Sequence, residues 1–538
     1  MTPDEFRRHG HDMVDWIADF LDASTAETVD GPRVDTAGIE TANGAGDDTE
    51  TGAGRDGGVD HASDTWRARR VFPDVSPGDI RAQLPEHPPT EPEPFEAVMA
   101  DLERIIVPGL TQWQHPGFFA WFPSNVSFPS ILGELMSAGL GINAMAWATS
   151  PAATELETLV LDWMQELLDL PQRFRSTSAT GGGVIQGTAS EATLVAMLAA
   201  RWRATGGACN VDGDSTKLVG YTTSQAHSSI EKGFRIAGIG TDRMRVVDHD
   251  EDFAMRPDVL ARMIESDLAD GLTPFFVCSA HGTTSSMAFD PTDAIADVTE
   301  PHGIWLHVDA AMSGIAALEE EFRWVNDGLG RADSYTTNPH KWMGINFDCN
   351  LFWVADREPL IGALSILPPY LQSEAARAGA AIDYRDWQIP LGRRFRALKL
   401  WFALRTEGVG PTRSMIRDHV AWTQELADVV GDDHRFEILA PHPLNLLTIA
   451  RTGDDRDADA DGGTDAQRVA LANERTDALI DAANATGRVL FTRTVLDGRS
   501  ALRISIGASA TTRDDVTSAW ELISELADAP DRDPADVR

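Results

Sequence analysis

Phe6, Met13, Trp16, Ile17, Phe20 and Leu21 recur at helical spacing and predict an amphipathic helix at the start of the chain. That periodicity stops at about Ala23. From Ala23 to Asp64 the chain fills with Gly, Thr and Asp, which predicts a solvated insertion rather than a packed element. The Pro-rich text from Phe72 to Pro94 predicts an extended connector. Between Leu156 and Leu404 strand-like and helix-like runs alternate. Thr273–Cys278 reads as a buried strand, and Asp290-Pro291 as the cap and first position of a helix running to about Glu300. Ile304–Val308 and Asn350–Val354 are further strands. This grammar predicts βαβ units, hence a mostly parallel α/β sheet covered on both faces. After Leu391, the residues Phe395, Leu398 and Phe402 mark a long amphipathic helix. Beyond it lie a strand at Leu444–Ala450, an acidic insertion at Asp454–Asp465 and a helix at Val469–Ala483. A hairpin over Val489–Ile506, turning at Asp497-Gly498, and a helix at Arg513–Ala527 complete a smaller α+β unit. The predicted layout is a helical segment over 1–104 with its acidic insertion at about 23–64, a large domain over 105–405 and a small α+β domain over 406–538.

Charge narrows the partners. Among 538 residues, 84 acids against 45 bases give a net charge of -39, and only four of the bases are lysines. The acids are spread along the chain rather than gathered in a tail, which favours adaptation to a salt-rich cytoplasm over an acidic docking surface. Nucleic acid and anionic membranes, which need a basic patch, are disfavoured as partners. Cys209, Cys278 and Cys349 are too few and too scattered for a disulfide framework or a zinc site, and no metal is expected. The N-terminus has no apolar signal region, and the uncharged stretches Ile105–Gly133 and Leu135–Thr154 are interrupted by prolines and polar residues. A cytoplasmic protein with no membrane span is expected. Between Ile105 and Thr154 the one formally charged residue is Glu134. Such a segment must face a core, a subunit interface or a ligand cavity. Its aromatics Trp113, Phe118, Phe119, Trp121, Phe122 and Phe128 suit either a pocket lining or core packing.

Candidate chemistry sits where the sheet should present it. Ligands in sheets of this kind gather beyond the carboxyl ends of strands, where Asp309 falls. One loop downstream, Ser334-Tyr335-Thr336-Thr337-Asn338-Pro339-His340-Lys341-Trp342 places Lys341 beside His340. An acid ending a buried strand, followed by a loop lysine, fits a site for pyridoxal phosphate (PLP). The lysine would bond to the cofactor aldehyde and the aspartate would pair with the protonated ring nitrogen. A surface lysine is the ordinary alternative, but this chain avoids surface lysine. Gly181-Gly182-Gly183 leads into Gly187-Thr188-Ala189-Ser190-Glu191, in which Thr188 and Glu191 have capping-box spacing. The free N–H groups of that turn, with the Thr188 and Ser190 hydroxyls, suit a phosphate; alone, they suit an ordinary capped helix better, and the balance reverses with Lys341 and Asp309 in the same βαβ region. His227 is a candidate for stacking on a flat cofactor or for a capping role. Asn338 and Ser334 are candidate phosphate contacts, and His340 either orients Lys341 or packs.

These blocks in this order resemble the PLP-dependent group II decarboxylases, specifically the aromatic-L-amino-acid decarboxylases. The resemblance runs from Phe6-Arg7-Arg8 to the C-terminal unit, through Val71-Phe72-Pro73-Asp74-Val75, Phe118 to Pro123 and Ser150 to Glu157. It continues through Ala226-His227-Ser228-Ser229, His307 to Ala311, Asn338 to Trp342 and Asp383 to Arg394; only the two acidic insertions fall outside. It implies the PLP-dependent transferase fold (fold type I, aspartate-aminotransferase-like) and a homodimer with shared active sites. Carried across by position, it implies Lys341 as the covalent anchor, Asp309 as the ring-nitrogen partner, His227 stacked on one ring face and Ala311 on the other. Thr188, Ala189, Ser190, Ser334 and Asn338 would surround the phosphate, with Thr284 near cofactor and substrate carboxylate. Tyr370 matches the tyrosine that returns a proton to the substrate carbon after carbon dioxide leaves. Trp113, Trp121, Phe122, Pro123, Ser124, Asn143, Met145 and Gly392 match the substrate pocket. Asn143 and Met145 replace an isoleucine and a phenylalanine of animal members, and Gly392 matches members that accept indoles.

The implied activity is decarboxylation of an aromatic L-amino acid to its arylalkylamine. Relatives that release aldehydes usually carry phenylalanine where Tyr370 stands, which argues against that outcome here. A glutamate or histidine decarboxylase is a further alternative, although the charge-poor segment offers no cation for a glutamate side chain. A catalytically dead scaffold is disfavoured, because the core catalytic positions are all filled.

Overall fold

The computed structural model describes residues 1–22, 70–366, 381–452 and 465–528. The two acidic insertions and Tyr370 therefore lie outside the described residues, save for Asp465, which opens a helix. The chain divides into two compact units, Met1–Leu110 and Thr111–Arg538. In the first, the predicted amphipathic helix spans Pro3–Asp22. The Trp16 indole donates to Glu103 Oε1 at 2.7 Å and stacks on Phe20, while His9 lies 4.3 Å from the Phe95 ring.

The second unit is built on a seven-stranded sheet. Its strands are β1 Gly182–Gln186, β2 Leu218–Thr223, β3 Met244–Val247, β4 Thr273–Ala280, β5 Trp305–Asp309, β6 Ser334–Thr337 and β7 Asn350–Val354, in the order β1-β7-β6-β5-β4-β2-β3. The run from β6 through β5, β4 and β2 to β3 is parallel, and β7 is antiparallel to both β1 and β6. Successive residues of β7 enter opposite cores: Leu351 and Trp353 join Val308 and Met164, whereas Phe352 and Val354 join Phe276 and Val195. Burial on both faces explains why β4 and β7 read as nearly continuous apolar runs.

One predicted element starts later than expected. The helix after Asp290-Pro291 spans Thr292–Thr299, and Asp290 does not cap it. Its carboxylate accepts instead from the N–H groups of Met255 and Ala280, each at 2.7 Å. Two buried backbone donors outcompete the cap, and burial lifts the Asp290 carboxyl to about 6.

A second sheet of four antiparallel strands comprises β8 Phe436–Ile438, β9 Leu446–Arg451, β10 Thr492–Leu496 and β11 Arg499–Ser505. The predicted hairpin is β10–β11, turning at Asp497-Gly498, and the helices Asp465–Ala485 and Arg513–Asp528 share its core.

Candidate active site

Parallel register brings the carboxyl ends of β4, β5 and β6 to one level. Ala280 pairs with Asp309 and Asp309 with Thr336. Past the strand ends, His281 N–H donates to the Asp309 carbonyl and Asn338 N–H to the Ala311 carbonyl. A cavity of about 220 Å³ opens there, lined by Phe122, Thr188, Ala189, Ser190, His227, Ala280, Gly282, Thr283, Thr284, Asp309, Ala311, Met312, Asn338, His340 and Lys341. Gly282 has φ +77°, and a Cβ there would sit 2.7 Å from Ser313 Cβ, so this wall requires glycine.

Each candidate is held by its own local logic. Lys341 sits within the short helix Pro339–Trp342, and its carbonyl accepts from Asn125 Nδ2 at 2.7 Å. Its ammonium lies 5.5 Å from the Phe122 ring centre. Burial pulls the Lys341 pKa below the usual lysine value; Asp309 pulls it back up and Arg503 pushes it down. Asp309 Oδ1 accepts from Ala311 N–H at 3.0 Å, which fixes the carboxylate plane. His227 Nδ1 accepts the Ser229 N–H at 3.1 Å and meets the Ser229 hydroxyl at 2.9 Å. A backbone N–H only donates, so the neutral ring carries its proton on Nε2. Burial lowers the His227 pKa, the nearby Asp309 opposing and Lys341 adding. Cys349 N–H donates to His340 Nδ1 at 3.0 Å, and burial drives that imidazole down to about 3, with Lys341 adding to the drop. His340 is therefore a neutral ring of fixed orientation.

The helix Ala189–Thr205 points its N-terminus at the cavity. Thr188 caps it by accepting from Glu191 N–H, and Glu191 reaches back to Gly187 N–H at 3.1 Å. Only half of the expected capping box forms, because Glu191 accepts from Gly187 rather than from Thr188 N–H; the first-turn N–H groups remain at an anion-binding helix end. The buried Asn338 Oδ1 has no hydrogen-bond partner among the described residues. A buried amide with an orphaned end marks a ligand position.

Ser334 stands apart. It opens β6, level with His307 rather than Asp309, and its hydroxyl accepts from Trp305 Nε1 and meets His307 Nδ1, each at 2.8 Å. It does not line the cavity. The pocket candidates also divide. Phe122 lines the cavity, while Trp113 and Trp121 stack at 5.5 Å on an exposed face beside it. Pro123 packs toward Gly507, and the Ser124 carbonyl accepts from Gln114. Asn143, Met145 and Gly392 form a separate wall that is not part of this chain's cavity.

Sequence reasoning missed Arg503. It is buried on β11, 5.3 Å from the Phe122 ring centre, and donates to the carbonyls of Thr284 and Trp121 and to the Thr492 hydroxyl. Desolvation lowers even this guanidinium to about 10. Its signal was available: a single cation in the apolar run Ala501-Leu502-Arg503-Ile504. Asn125, fully buried and bonded to both the Lys341 and Gly507 carbonyls, carried no such signal.

A lysine, a strand-end carboxylate, a stacking imidazole and a helix N-terminus around one cavity fit the amine-reactive aldehyde, pyridine nitrogen, flat ring and phosphate of PLP. The fold and site thus define a PLP-dependent enzyme. The model of the pyridoxal-dependent decarboxylase conserved domain matches residues 77–449, and the chain belongs to that family. It is 43% identical to phenylacetaldehyde synthase of Arabidopsis thaliana over 87% of this chain and 94% of that one. It is 39% identical to aromatic-L-amino-acid decarboxylase of Bos taurus over 98% and 97%. The solved structure of Oryza sativa TDC with PLP and tryptamine superposes with a TM-score of 0.85 at 35% identity, covering 98% of each chain. The protein is a PLP-dependent carboxy-lyase of the aromatic-L-amino-acid decarboxylase family, with the fold type I architecture. Among the described residues no helix is long and apolar enough to cross a membrane.

Proposed function

We propose that the protein converts an aromatic L-amino acid of the tryptophan, tyrosine, phenylalanine or DOPA type to its arylalkylamine and carbon dioxide. The observation that carries this reading is the meeting of Lys341, Asp309, Phe122 and the nearby Arg503 around one cavity. PLP, when bound, supplies an electrophilic aldehyde and an electron-withdrawing ring. Lys341, its pKa lowered, supplies the amine; Asp309 holds the pyridine proton; neutral His227 covers one ring face. The helix end at Thr188–Ser190 and the Asn338 side-chain N–H groups, which donate, hold the phosphate. Arg503 keeps spare N–H groups for the substrate carboxylate. That carboxylate is common to all amino acids, so Arg503 gives no preference for glutamate. Tyr370 is the group assigned to return a proton to the substrate carbon.

The assembly completing this site is a homodimer. Asn143, Met145 and Gly392 stand outside their own chain's cavity, at a surface where Ile389 and Leu391 are also exposed. The helix Phe128–Leu140 exposes Phe128, Leu132, Leu135, Met136 and Leu140 as one apolar face. A second copy would cover that face and bring the wall to the partner's cavity. The charge balance favours a salt-rich cytoplasm.

An aldehyde product is the second reading, favoured by the identity to phenylacetaldehyde synthase. Tyr370 opposes it. Incubation with each aromatic amino acid, quantifying amine against aldehyde, ammonia and peroxide, separates the two. Amine should dominate for the native protein, and Tyr370→Phe should shift product toward aldehyde. Unchanged amine output from that variant would remove Tyr370 from the role of proton donor.

A further inference from the structure

Behind the wall carrying Asn143 and Gly392 lies a charge pair that the chemistry does not use. Arg393 and Glu157 have side chains 0% and 1% exposed, joined by two hydrogen bonds of 3.0 and 2.7 Å. Arg393 also donates to the Ile185 carbonyl at 2.8 Å and to Gln388 Oε1 at 2.9 Å, and its guanidinium lies 4.7 Å from the Tyr384 ring centre. Glu157 accepts from Ile185 N–H at 2.8 Å. The pair thus clamps β1 just ahead of the phosphate-side turn at Gly187. On its other side the Arg393 backbone holds the wall. Its N–H donates to Asn143 Oδ1 at 3.0 Å, and its carbonyl accepts from Ala144 N–H at 3.0 Å. Two more bonds continue the seam, from Arg385 N–H to the Met145 carbonyl and from Trp147 N–H to Asp383 Oδ1.

Stability alone does not call for ions here. A buried pair loses most of its Coulombic gain to desolvation, and well-packed apolar residues of similar size often serve as well. Only a guanidinium can reach a carboxylate, a carbonyl and an amide oxygen at once in fixed directions. We propose that Glu157 and Arg393 are positioning residues: they fix the Asn143–Met145 and Gly392 wall against β1 and so set affinity for the aromatic side chain. The proposal rests on the shared-site reading above.

The test compares the native homodimer with Arg393→Lys, the double variant Glu157→Leu/Arg393→Met, Asn143→Ala, and Asn143→Ala combined with Arg393→Lys. Carbon dioxide release is measured with tryptophan, tyrosine, phenylalanine and DOPA, because it is common to the amine and aldehyde outcomes. A failure of the proposed product therefore leaves this comparison intact. Calorimetric binding of the arylalkylamine and visible absorbance of bound PLP are read in parallel. Arg393→Lys keeps the charge but loses the fork. It should raise KM and the amine dissociation constant about tenfold or more, with kcat and PLP content within about twofold. The apolar double variant should fold and show the same KM defect. Arg393→Lys and Asn143→Ala should combine less than additively. The proposal is overturned by native KM values in the folded apolar variant, by full additivity with Asn143→Ala, or by KM and PLP content deteriorating together.

Discussion

Lys341 and Asp309 were legible as residues because each breaks a local habit: a lysine in a chain with four, and an acid ending an apolar strand. Both line one cavity, and Lys341→Ala should abolish turnover and the visible absorbance of bound PLP in the purified protein. Asp309→Asn should retain PLP yet lose about a hundredfold or more in kcat, since a neutral amide cannot hold the pyridine proton. Ser334 shows where residue-level reasoning fails. It lies close to Lys341 in sequence, but it sits two residues before Thr336, the β6 residue level with Asp309, so its hydroxyl meets Trp305 and His307 instead. Arg503 left one local signal, a cation in an apolar run, but nothing local placed it at the site, since its carbonyl partners Thr284 and Trp121 lie far away in sequence. Arg503→Met should raise KM at least tenfold through loss of a charge-assisted bond worth about 1.5–3 kcal/mol; steady-state kinetics with a saturating PLP supply decide it.

Elements were read more surely than their joints. β7 occupies the predicted residues, and the helix at Ala189–Thr205 starts after its Thr188 cap, since both signals are local. The helix after Asp290 slipped because a tertiary demand, two buried N–H groups, claimed the capping carboxylate. The charge-poor segment 105–154 split for a similar reason. Phe118 and Phe119 are buried, while the helix Phe128–Leu140 keeps an exposed apolar face, and no local pattern separates those fates. The helix end facing the cavity carries its own prediction. Thr188→Ala removes the cap and should lower stability by about 1 kcal/mol. It should also weaken PLP binding, because the first-turn N–H groups lose their fixed direction. Titration of the apoprotein with PLP, followed by absorbance, measures that second effect.

Protons and salt act on the whole molecule. His307, His340 and His419 are buried and driven down to about 4, about 3 and about 3. Unfolded, they bind protons from about pH 6.5 downward, so the unfolded chain takes up more protons and stability falls as pH drops from 7 toward 4. At pH 5 each contributes a loss of about 2 kcal/mol. Asp290, raised to about 6, works the other way over the same range, but it is one group against three. Urea midpoints at pH 7.5 and pH 5 should show the net acid loss. Salt has two opposing effects. Exposed pairs such as Arg7–Asp4 and Arg256–Asp258 weaken on screening, and each contributes little to begin with. The self-repulsion of the acidic excess weakens as well. If all 45 bases were paired, 39 of the 84 carboxylates would still lack a counter-charge, so relief of repulsion outweighs the weakened pairs. Screening shortens from about 10 Å at 0.1 M to about 3 Å at 1 M, enough to insulate neighbouring surface carboxylates. The thermal midpoint and the decarboxylation rate should therefore rise between 0.1 and about 1 M KCl, and NaCl should act alike if screening is the cause. A midpoint that falls over that interval would show the exposed pairs, not the repulsion, to dominate.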